Sequence, residues 1–205
     1  MSKKTRRDFL KTSAMIGTAL VSSTVHPAKA APKNVLSPDR MGVLVDTTAC
    51  VGCRSCEWAC KVAHGRPTRP LEDYEDRSVY QKPRRPDHDA VTVVNEYRQE
   101  ESGGSAAYVK AQCMHCDHPS CVSACIVGAF TKEENGSVVW DTNKCIGCRY
   151  CMVACPFQIP AFEFEEALRP DIVKCDFCFS RTREGGLPAC VEICPVEAIG
   201  NDGEE

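Results

Sequence analysis

Several features that would assign this chain to a common functional class are missing from its sequence. After residue 30, no apolar run approaches the roughly 20 residues that a membrane-crossing helix needs. No Ser–His–Asp set, phosphate-binding P-loop or dinucleotide-binding glycine fingerprint is present, and the C-x3-C-x2-C motif of radical-SAM enzymes is absent as well. The sequence therefore does not support a hydrolase, a nucleotide-dependent enzyme or an integral membrane protein.

Outside the first 30 residues, acidic side chains outnumber basic ones. Six of the 25 Lys and Arg residues and one of the 28 Asp and Glu residues lie there, so the remainder holds 19 basic and 27 acidic side chains. The resulting net charge of −8 for that remainder is opposite in sign to the basic surface that nucleic-acid binding requires. We therefore expect no nucleic-acid partner.

Aliphatic residues are also few. Apolar residues make up 43% of the 205 residues, but much of that fraction is cysteine and alanine. The 16 cysteines amount to about 8% of the chain, which approaches the range of disulfide scaffolds. A thin core of this kind needs either disulfides or bound metal to hold the fold together.

Residues 1–30 have the composition of a twin-arginine signal peptide. A basic segment precedes an apolar stretch from Ala14 to Val25, and residues 28–30 form a small-x-small cleavage site. The sequence TRRDFLK contains the paired arginines, Arg6 and Arg7, of that signal. An amphipathic first helix is the alternative. Because this route is understood to export folded proteins, it predicts a prosthetic group bound before export rather than disulfides formed afterwards.

The cysteines fall into four sets of four, with none left over. The first and third sets share the spacing C-x2-C-x2-C-x3-C, whereas the second is C-x2-C-x4-C-x3-C and the fourth is C-x2-C-x11-C-x3-C. We number these sets as motifs I to IV in chain order. Their members are Cys50, Cys53, Cys56 and Cys60; Cys113, Cys116, Cys121 and Cys125; Cys145, Cys148, Cys151 and Cys155; and Cys175, Cys178, Cys190 and Cys194.

The spacing within motif III indicates [4Fe–4S] clusters that are bound in pairs. Three thiolates at x2 spacing in a tight loop reach one cluster, whereas the fourth, three residues later, ligates the neighbouring cluster in two-cluster ferredoxins. Four motifs therefore predict two pairs and four clusters. Zinc would leave the third thiol of each triplet unexplained, and thiols at x2 spacing make poor disulfides.

Two motif types are each used twice, which predicts a duplicated two-cluster unit. Residues 45–60 align with 140–155 without a gap, and 113–130 align with 175–199 once seven residues are added to the latter. Spacing alone leaves the pairing of motifs open. The segment AFTKEENGSVVWD after motif II is typical of a β-hairpin with an Asn135-Gly136 turn, as found inside a ferredoxin-like module. We therefore pair motif II with III and motif I with IV.

The predicted fold is α+β, with two ferredoxin-like dicluster modules in which small strands and short helices surround four iron–sulfur clusters. Within the insertion, VTVVNEYRQ and AAYVK are predicted strands joined by a turn at ESGGS, and the Pro- and Arg-rich part before them is expected to be irregular, either a solvated loop or a docking surface. The predicted segments are 41–70 with motif I, 71–110 as the insertion, 111–165 as the dicluster module of motifs II and III, 166–199 with motif IV pairing with motif I, and 200–205 as a disordered tail.

At these motifs the sequence resembles the four-cluster iron–sulfur subunits of membrane-associated respiratory oxidoreductases, such as the polysulfide, tetrathionate, dimethyl sulfoxide and formate enzymes. The greatest likeness is to the hydrogenase-2-type iron–sulfur subunit, through QCMHC with PSCVSAC, CIGCRYCMVACPF and GGLPACVEICP. The resemblance covers about residues 41–199. It implies that the first three cysteines of a motif share a cluster with the last cysteine of the partner motif. The implied ligand sets are Cys50, Cys53, Cys56 and Cys194 for cluster 1; Cys60, Cys175, Cys178 and Cys190 for cluster 2; Cys113, Cys116, Cys121 and Cys155 for cluster 3; and Cys125, Cys145, Cys148 and Cys151 for cluster 4.

The resemblance implies an electron-transfer subunit that is not an enzyme on its own. Single electrons would pass through the four [4Fe–4S] clusters between a catalytic subunit and an integral membrane quinone-reactive subunit of an anaerobic respiratory complex. The catalytic subunit would be a nickel–iron hydrogenase or a molybdopterin oxidoreductase. Together with the export signal, this predicts passage through the twin-arginine translocase and a periplasmic location peripheral to the inner membrane. The alternative is a zinc- or disulfide-stabilised periplasmic scaffold without a redox function.

Two features depart from the family pattern. Ile126 stands where proline usually follows the fourth cysteine, which leaves the turn after motif II open. The hydrogenase-type subunit continues into a long C-terminal region with a membrane anchor, whereas this sequence ends at Glu205, so we expect a shorter relative or a truncated form.

Charged and ring side chains adjoin the predicted ligands. His115 and His118 are expected to support a cluster's surroundings or to lie at the surface, because a Rieske-type role would need histidine in place of cysteine. Lys174, Arg54 and Arg149 each adjoin a ligand and either raise a cluster's potential through their charge or are solvated cations.

Overall fold

The computed structural model describes residues 40–98, 106–164 and 171–201, all of which belong to one compact unit. The predicted export signal at 1–30 and the predicted turn at 101–105 lie outside these ranges. Within the described ranges, every helix is too short or too polar to cross a bilayer.

Short strands and short helices make up the fold, as predicted for a small iron–sulfur domain. The strands are β1 (Val43–Val45), β2 (Val93–Tyr97), β3 (Ala107–Ala111), β4 (Phe130–Lys132), β5 (Val138–Trp140), β6 (Ala161–Phe162), β7 (Ile172–Val173) and β8 (Ile199–Asn201). The α-helices are α1 (Ser55–Ala63), α2 (Ser120–Ser123), α3 (Tyr150–Ala154), α4 (Phe179–Thr182) and α5 (Ala189–Glu192). Two 3₁₀ helices, Leu71–Glu75 and Arg77–Gln81, lie in the insertion.

The strands form four antiparallel two-stranded ribbons whose order follows the internal repeat. Strand β1 precedes motif I and pairs with β8, which follows motif IV, with Val45 opposite Ile199. In the same way β5 precedes motif III and pairs with β4, which follows motif II, with Phe130 opposite Trp140. Ribbons β2–β3 and β6–β7 connect motif I to motif II and motif III to motif IV. The strands of the two halves of the chain therefore occur in the same order relative to the motifs.

The hairpin predicted between motifs II and III is confirmed, with a loop one residue longer than an Asn135-Gly136 turn. Glu133 N donates to Ser137 O at 2.8 Å, and Gly136 N donates to Glu133 O at 3.0 Å. Gly136 has a φ of 89°, in the left-handed region. These bonds define a type I turn followed by a left-handed residue, which is the usual three-residue hairpin loop.

The insertion is more regular than its composition predicts. Strands β2 and β3 pair from Val93–Ala111 to Tyr97–Ala107, which confirms the two strands. The expectation of irregular structure before them is wrong for Leu71–Glu75 and Arg77–Gln81, which form the 3₁₀ helices. Asp76 separates the two and caps the second, accepting a hydrogen bond from Ser78 N at 2.8 Å.

The predicted disordered tail at 200–205 starts inside a strand instead. Gly200 and Asn201 belong to β8, where Gly200 lies opposite Leu44 and Asn201 opposite Val43. Pairing with β1 supplies the backbone hydrogen bonds that a polar tail would otherwise exchange with water. The remaining residues, 202–205, lie outside the described ranges.

Cysteines occupy the centres of two equivalent cores. The first core packs Cys56 and Cys190 with three other side chains, and the second packs Cys151 and Cys121 with three others. The additional members are Val94, Tyr108 and Ile199 in the first core and Phe130, Val138 and Ile172 in the second. Each core thus contains the third cysteine of two different motifs, so the thiols replace the aliphatic residues that the composition lacks.

A buried ionic network fixes helix α1 to the insertion. Glu57 is 2% exposed and accepts hydrogen bonds from Arg54 at 3.1 Å, Arg84 at 2.5 Å and the backbone N–H of Val94 at 2.6 Å. Arg54 is 8% exposed and also lies over the Tyr74 ring. The possibility that Arg54 is a solvated cation is therefore wrong, because its charge is neutralised inside the fold by Glu57.

The network predicts a large penalty for neutralising Glu57. Glu57→Gln leaves the buried Arg54 and its neighbour Arg84 without their counter-charge, and breaking a buried pair in this way costs about 3–5 kcal/mol. The shift in the denaturant midpoint of the anaerobically purified protein measures the loss. Glu192→Gln is the matched control, because its ion pair with Arg181 is largely exposed and should change the midpoint little. A small effect at Glu57 would contradict the network's structural role.

Replacing Gly52 with alanine is predicted to destabilise the protein through two costs that add. Its φ is +70°, and an added Cβ would lie 2.4 Å from the Tyr108 ring. Left-handed alanine costs about 1–2 kcal/mol, and overpacking adds about 1–3 kcal/mol. Gly65→Ala carries only the first cost, because Gly65 has a φ of +60° and nothing within 4 Å of the added atom. Apparent melting temperatures should fall further for Gly52→Ala, and equal losses would exclude the Tyr108 contact as a cause.

Candidate iron–sulfur cluster sites

Motifs I and III begin with the same backbone turn. Gly52 and Gly147 have φ values of 70° and 68°, and the residues that precede helices α1 and α3, Arg54 and Arg149, have values of 62° and 63°. Two left-handed residues between consecutive cysteines bend the chain tightly. The bend curls the first three thiols of each motif around one region and starts a helix at the third thiol.

Motifs II and IV share a second kind of turn. The residue before the second cysteine is left-handed in both, with a φ of 44° at His115 and 65° at Phe177. The third cysteines, Cys121 and Cys190, then lie in the first turns of α2 and α5. The repeat seen in the sequence is therefore also a repeat of backbone conformation.

The turn after the fourth cysteine is retained where the sequence pattern left it open. Gly128 N donates to Cys125 O at 3.1 Å, as Gln158 N does to Cys155 O at 3.0 Å. Proline follows Cys155 but not Cys125, where Ile126 stands. Left-handed Gly128, with a φ of 61°, completes the turn without proline. Ile126 therefore does not alter the local backbone.

Helix packing brings each motif against one partner. Helix α1 of motif I packs on α5 of motif IV, and α2 of motif II packs on α3 of motif III. The two cores follow the same division. We name the thiols by the four ligand sets that the family resemblance implies, as thiol groups 1 to 4, each with three thiols of one motif and one of its partner. Their members are Cys50, Cys53, Cys56 and Cys194; Cys60, Cys175, Cys178 and Cys190; Cys113, Cys116, Cys121 and Cys155; and Cys125, Cys145, Cys148 and Cys151.

Thiol groups 2 and 3 each line a cavity. The cavity of group 2 is lined by all four of its cysteines. The cavity of group 3 is likewise lined by all four of its cysteines. In each case three thiols come from one motif and the fourth from its partner.

Electrostatic coupling among thiols acts both within and between the named groups. In group 1, burial raises the pKa of Cys50, and the thiols of Cys53 and Cys194 add to the rise. Burial also raises the pKa of Cys151 to about 11, with further contributions from Cys145 and Cys148 of group 4 and from Cys121 of group 3. Cys125 and Cys145 pack against the core that contains both Cys121 and Cys151, so groups 3 and 4 adjoin one another.

The spacing of the thiols distinguishes between metals. Thiolates around tetrahedral zinc, at about 2.3 Å from the ion, lie about 3.8 Å from one another. All sixteen cysteines are described, and no three of them have their sulfur atoms within 4.8 Å of one another. All sixteen are also free thiols, so none forms a disulfide. The donor set of four wider-spaced thiols per group fits a larger body with several metal atoms, as a [4Fe–4S] cluster is.

Hydrogen-bond donors around the thiols fit the same kind of cluster. Backbone N–H groups of Ala129 and Phe177 donate to Cys125 Sγ at 3.2 Å and Cys175 Sγ at 3.4 Å. Donors of this kind stabilise anionic sulfur and influence cluster potentials. The protein atoms around the thiols are therefore suited to thiolates that bind iron.

His115, which lies between the first and second cysteines of motif II, has a neutral and buried ring. Burial, together with Lys174 and Lys132, lowers the pKa of His115 to about 3, so the ring is neutral. Its Nδ1 accepts the backbone N–H of Val138 at 2.9 Å, so the proton lies on Nε2. Nε2 is buried and has no acceptor among the described residues. A buried donor of this kind, beside two cysteines, fits an acceptor such as cluster sulfur. His118, in contrast, is exposed.

A histidine–aspartate pair that the sequence did not predict connects motifs I and IV. His64 donates from Nδ1 to Cys60 O at 2.8 Å and from Nε2 to Asp176 Oδ1 at 2.9 Å, and Asp176 accepts the N–H of Cys178 at 2.9 Å. The hydrogen bond to Asp176 raises the pKa of His64. Only the spacing of His64, four residues after Cys60 on one helix face, was visible in the sequence.

The cations beside the ligands have different surroundings. Lys174 is 2% exposed, so it is not solvated. Arg149 is exposed and lies over the Phe162 and Phe164 rings at 5.3 and 5.7 Å. Of the three cations that adjoin ligands, Arg54 and Lys174 are therefore buried, and only Arg149 is exposed to water.

Comparison with known proteins agrees with this donor set. Residues 105–203 match the 4Fe-4S dicluster domain family. A protein of Nitratidesulfovibrio vulgaris is 47% identical over 196 residues, covering 95% of this chain and 52% of the relative. Hydrogenase-2 operon protein HybA of Escherichia coli O157:H7 is 37% identical over 205 residues, covering 95% and 61%. This chain thus spans between half and two thirds of the length of these two relatives.

A relative of more similar length identifies the family. A subunit of anaerobic dimethyl sulfoxide reductase from Escherichia coli strain K12 is 36% identical over 167 residues, which cover 77% of this chain and 71% of the relative. This match confirms the family resemblance drawn from the cysteine motifs. The chain therefore belongs to the family of iron–sulfur electron-transfer subunits that includes this subunit of anaerobic dimethyl sulfoxide reductase.

Proposed function

We propose that this protein holds four [4Fe–4S] clusters and passes single electrons between a catalytic subunit and a membrane quinone-reactive subunit of an anaerobic respiratory complex. The observation that carries the proposal is a pair of cavities, each lined by four of the sixteen free thiols. Each group draws three thiols from one motif and one from its partner, as paired-cluster ferredoxins do. When bound, a [4Fe–4S] cluster supplies one-electron exchange and makes or breaks no substrate bond.

Each thiol group is proposed to hold one cluster. Thiol groups 1 and 2 form one ferredoxin-like dicluster module, built from motifs I and IV, and groups 3 and 4 form the other. All sixteen cysteines are iron ligands in this assignment. The packing of α1 on α5 and of α2 on α3 supports it, because each packed pair brings the fourth cysteine of one motif to the first three of the other.

We propose that the four sites form a row, on the basis of contacts between the thiol groups. Cys151 of group 4 packs in one core with Cys121 of group 3, and Cys56 of group 1 packs with Cys190 of group 2. The two modules approach one another at Cys113 and Cys175, because Lys174 lies between them, at 3.8 Å from Cys113 Sγ and 2.8 Å from Cys175 O. The order is therefore 4–3–2–1, with groups 3 and 2 in the middle. A row of this kind suits transfer from one end of the protein to the other.

The group 4 end of the row has the surface of a contact site. Cys148 is the one exposed cysteine of the sixteen. Ile146, Tyr150 and Val153 around it are 60%, 57% and 87% exposed. Apolar side chains clustered in this way at the protein surface are typical of a partner interface. We propose that a partner subunit covers this end when the complex forms.

The names of the relatives support the choice of complex. They include a hydrogenase-2 operon protein and a subunit of anaerobic dimethyl sulfoxide reductase. The catalytic partner is thus proposed to be a nickel–iron hydrogenase or a molybdopterin enzyme. With residues 1–30 as a twin-arginine signal, the protein is exported with its clusters in place and acts in the periplasm, peripheral to the inner membrane. A zinc- or disulfide-stabilised scaffold is the less supported alternative, given the thiol spacing and the free thiols.

Metal content tests the proposal directly. Anaerobic affinity purification from native membranes should give about sixteen iron atoms and about sixteen labile sulfides per chain, and a brown colour that bleaches on reduction. Nickel or molybdenum in the eluate, with the subunit that binds it, would identify the catalytic partner. Zinc without iron would refute the proposal.

Exchange of single ligands tests the crossed assignment. Cys60→Ser and Cys178→Ser belong to different motifs but to the same thiol group, so both should alter the same cluster signal in electron paramagnetic resonance. Cys53→Ser shares motif I with Cys60 and should alter a different signal. If Cys60→Ser and Cys53→Ser affected one common signal, the assignment across motifs would be wrong.

A further inference from the structure

Lys174 lies at the contact between the two modules. It follows strand β7 and directly precedes Cys175, yet its ammonium group points toward motif II. Nζ donates to the carbonyl oxygen of Val138, to Cys175 O at 2.8 Å and to Cys113 Sγ at 3.8 Å, and it lies 5.5 Å from the centre of the Trp140 ring. The side chain is therefore held in one position by contacts on several sides.

This ammonium group is buried without a carboxylate. Lys174 is 2% exposed, and within the described ranges no Asp or Glu oxygen lies within 4.0 Å of its nitrogen. Removing a charge from water costs several kcal/mol unless an opposite charge compensates it. Arg54, which is also buried, has that compensation from Glu57 at 3.1 Å. Lys174 therefore requires a negative charge that the described side chains do not supply.

The thiolates of a bound cluster would supply that charge. A [4Fe–4S] cluster held by four thiolates carries net negative charge, and Cys113 Sγ already accepts from the Lys174 ammonium group. We propose that Lys174 is the buried counter-charge of the cluster in thiol group 3, and that it raises the reduction potential of that cluster. This inference rests on the proposed function, because it assumes that the thiol group holds a cluster.

The expected rise in reduction potential follows from the negative charge of the electron that the cluster gains on reduction. Each cluster takes up one electron when its core passes from 2+ to 1+, which makes the site more negative. A fixed positive charge beside the cysteine sulfur stabilises the reduced form more than the oxidised form. Because Lys174 is buried, water and salt screen this interaction less than they would screen the interaction of a surface charge.

A second buried lysine lies near thiol group 2. Lys110 on strand β3 is 8% exposed and also has no carboxylate within 4.0 Å among the described residues. Its Nζ donates to Gln112, which lines the cavity of thiol group 2. Lys110 thus adds a second buried positive charge near thiol group 2.

Motif III offers a control lysine at the position before its first cysteine. Lys144 directly precedes Cys145, as Lys174 precedes Cys175. Its side chain is 58% exposed, and it has a carboxylate, that of Asp141, at 3.6 Å. A solvated and paired lysine of this kind should have little influence on the adjacent cluster. Lys144→Met therefore removes the same charge from the same position in a motif without removing a buried counter-charge.

The test is a redox titration of the full chain with its clusters. The wild type, Lys174→Met, Lys174→Arg and Lys144→Met are purified anaerobically, analysed for iron and reduced stepwise with dithionite, with electron paramagnetic resonance as the readout. In Lys174→Met, the ratio of reduced to oxidised cluster should fall about tenfold for one signal at fixed ambient potential, which equals about 59 mV for one electron. Lys174→Arg keeps the charge and should change that ratio far less. Lys144→Met should leave all signals in place.

The outcomes separate this inference from the proposed function. A wild-type chain without iron would overturn both. Full iron content with unchanged potentials in Lys174→Met would overturn the inference alone, as would an equal shift in Lys144→Met. If Lys174→Met loses one cluster's iron while Lys174→Arg retains it, the need for a counter-charge is supported. If both variants lose it, the role of Lys174 is steric and the inference fails.

Discussion

The geometry of three closely spaced cysteines constrains the rest of this structure. A left-handed glycine such as Gly52 bends the chain between the first cysteines of a motif, and a helix begins just before the third cysteine. In the two cavities that four cysteines line, no motif supplies all four thiols alone. Each one has to pack against a partner, and the packing of α1 on α5 and of α2 on α3 meets that requirement. The short ribbons, such as β1–β8, join the segments on either side of the paired motifs.

Charge is distributed in this fold as if the clusters were part of its interior. Where a cation is buried away from thiols, the chain supplies an acid, as Glu57 does for Arg54. Where a cation is buried against thiols, as at Lys174, the described chain supplies none. An interior built in this way is complete only with an anionic group in place. The dependence of fold on cofactor that the thin aliphatic composition suggests is therefore electrostatic as well as steric.

Local patterns were predictable from sequence, and contacts between distant segments were not. The cysteine sets and the β4–β5 hairpin follow from spacing and from residues such as Gly136, which act within a few positions of themselves. The 3₁₀ helices of the insertion were missed because Pro and Arg content suggested irregular backbone. The burial of Lys174 and the pairing of His64 with Asp176 depend on tertiary packing across more than 60 residues, to which sequence spacing gives no access. Family resemblance supplied the ligand sets that spacing left open.

Motifs I and III, which share one spacing, differ in the parts of the chain that pack over them. In motif I, the insertion packs over α1, and its arginine is buried against Glu57 and Tyr74. In motif III, Met152 replaces that acid, Arg149 is exposed, and Val153 is 87% exposed. Identical backbone turns at Arg54 and Arg149 mean that the cluster geometry does not require this difference. Packing of the insertion on α1 therefore distinguishes motif I, whereas motif III keeps exposed apolar side chains such as Tyr150 and Val153.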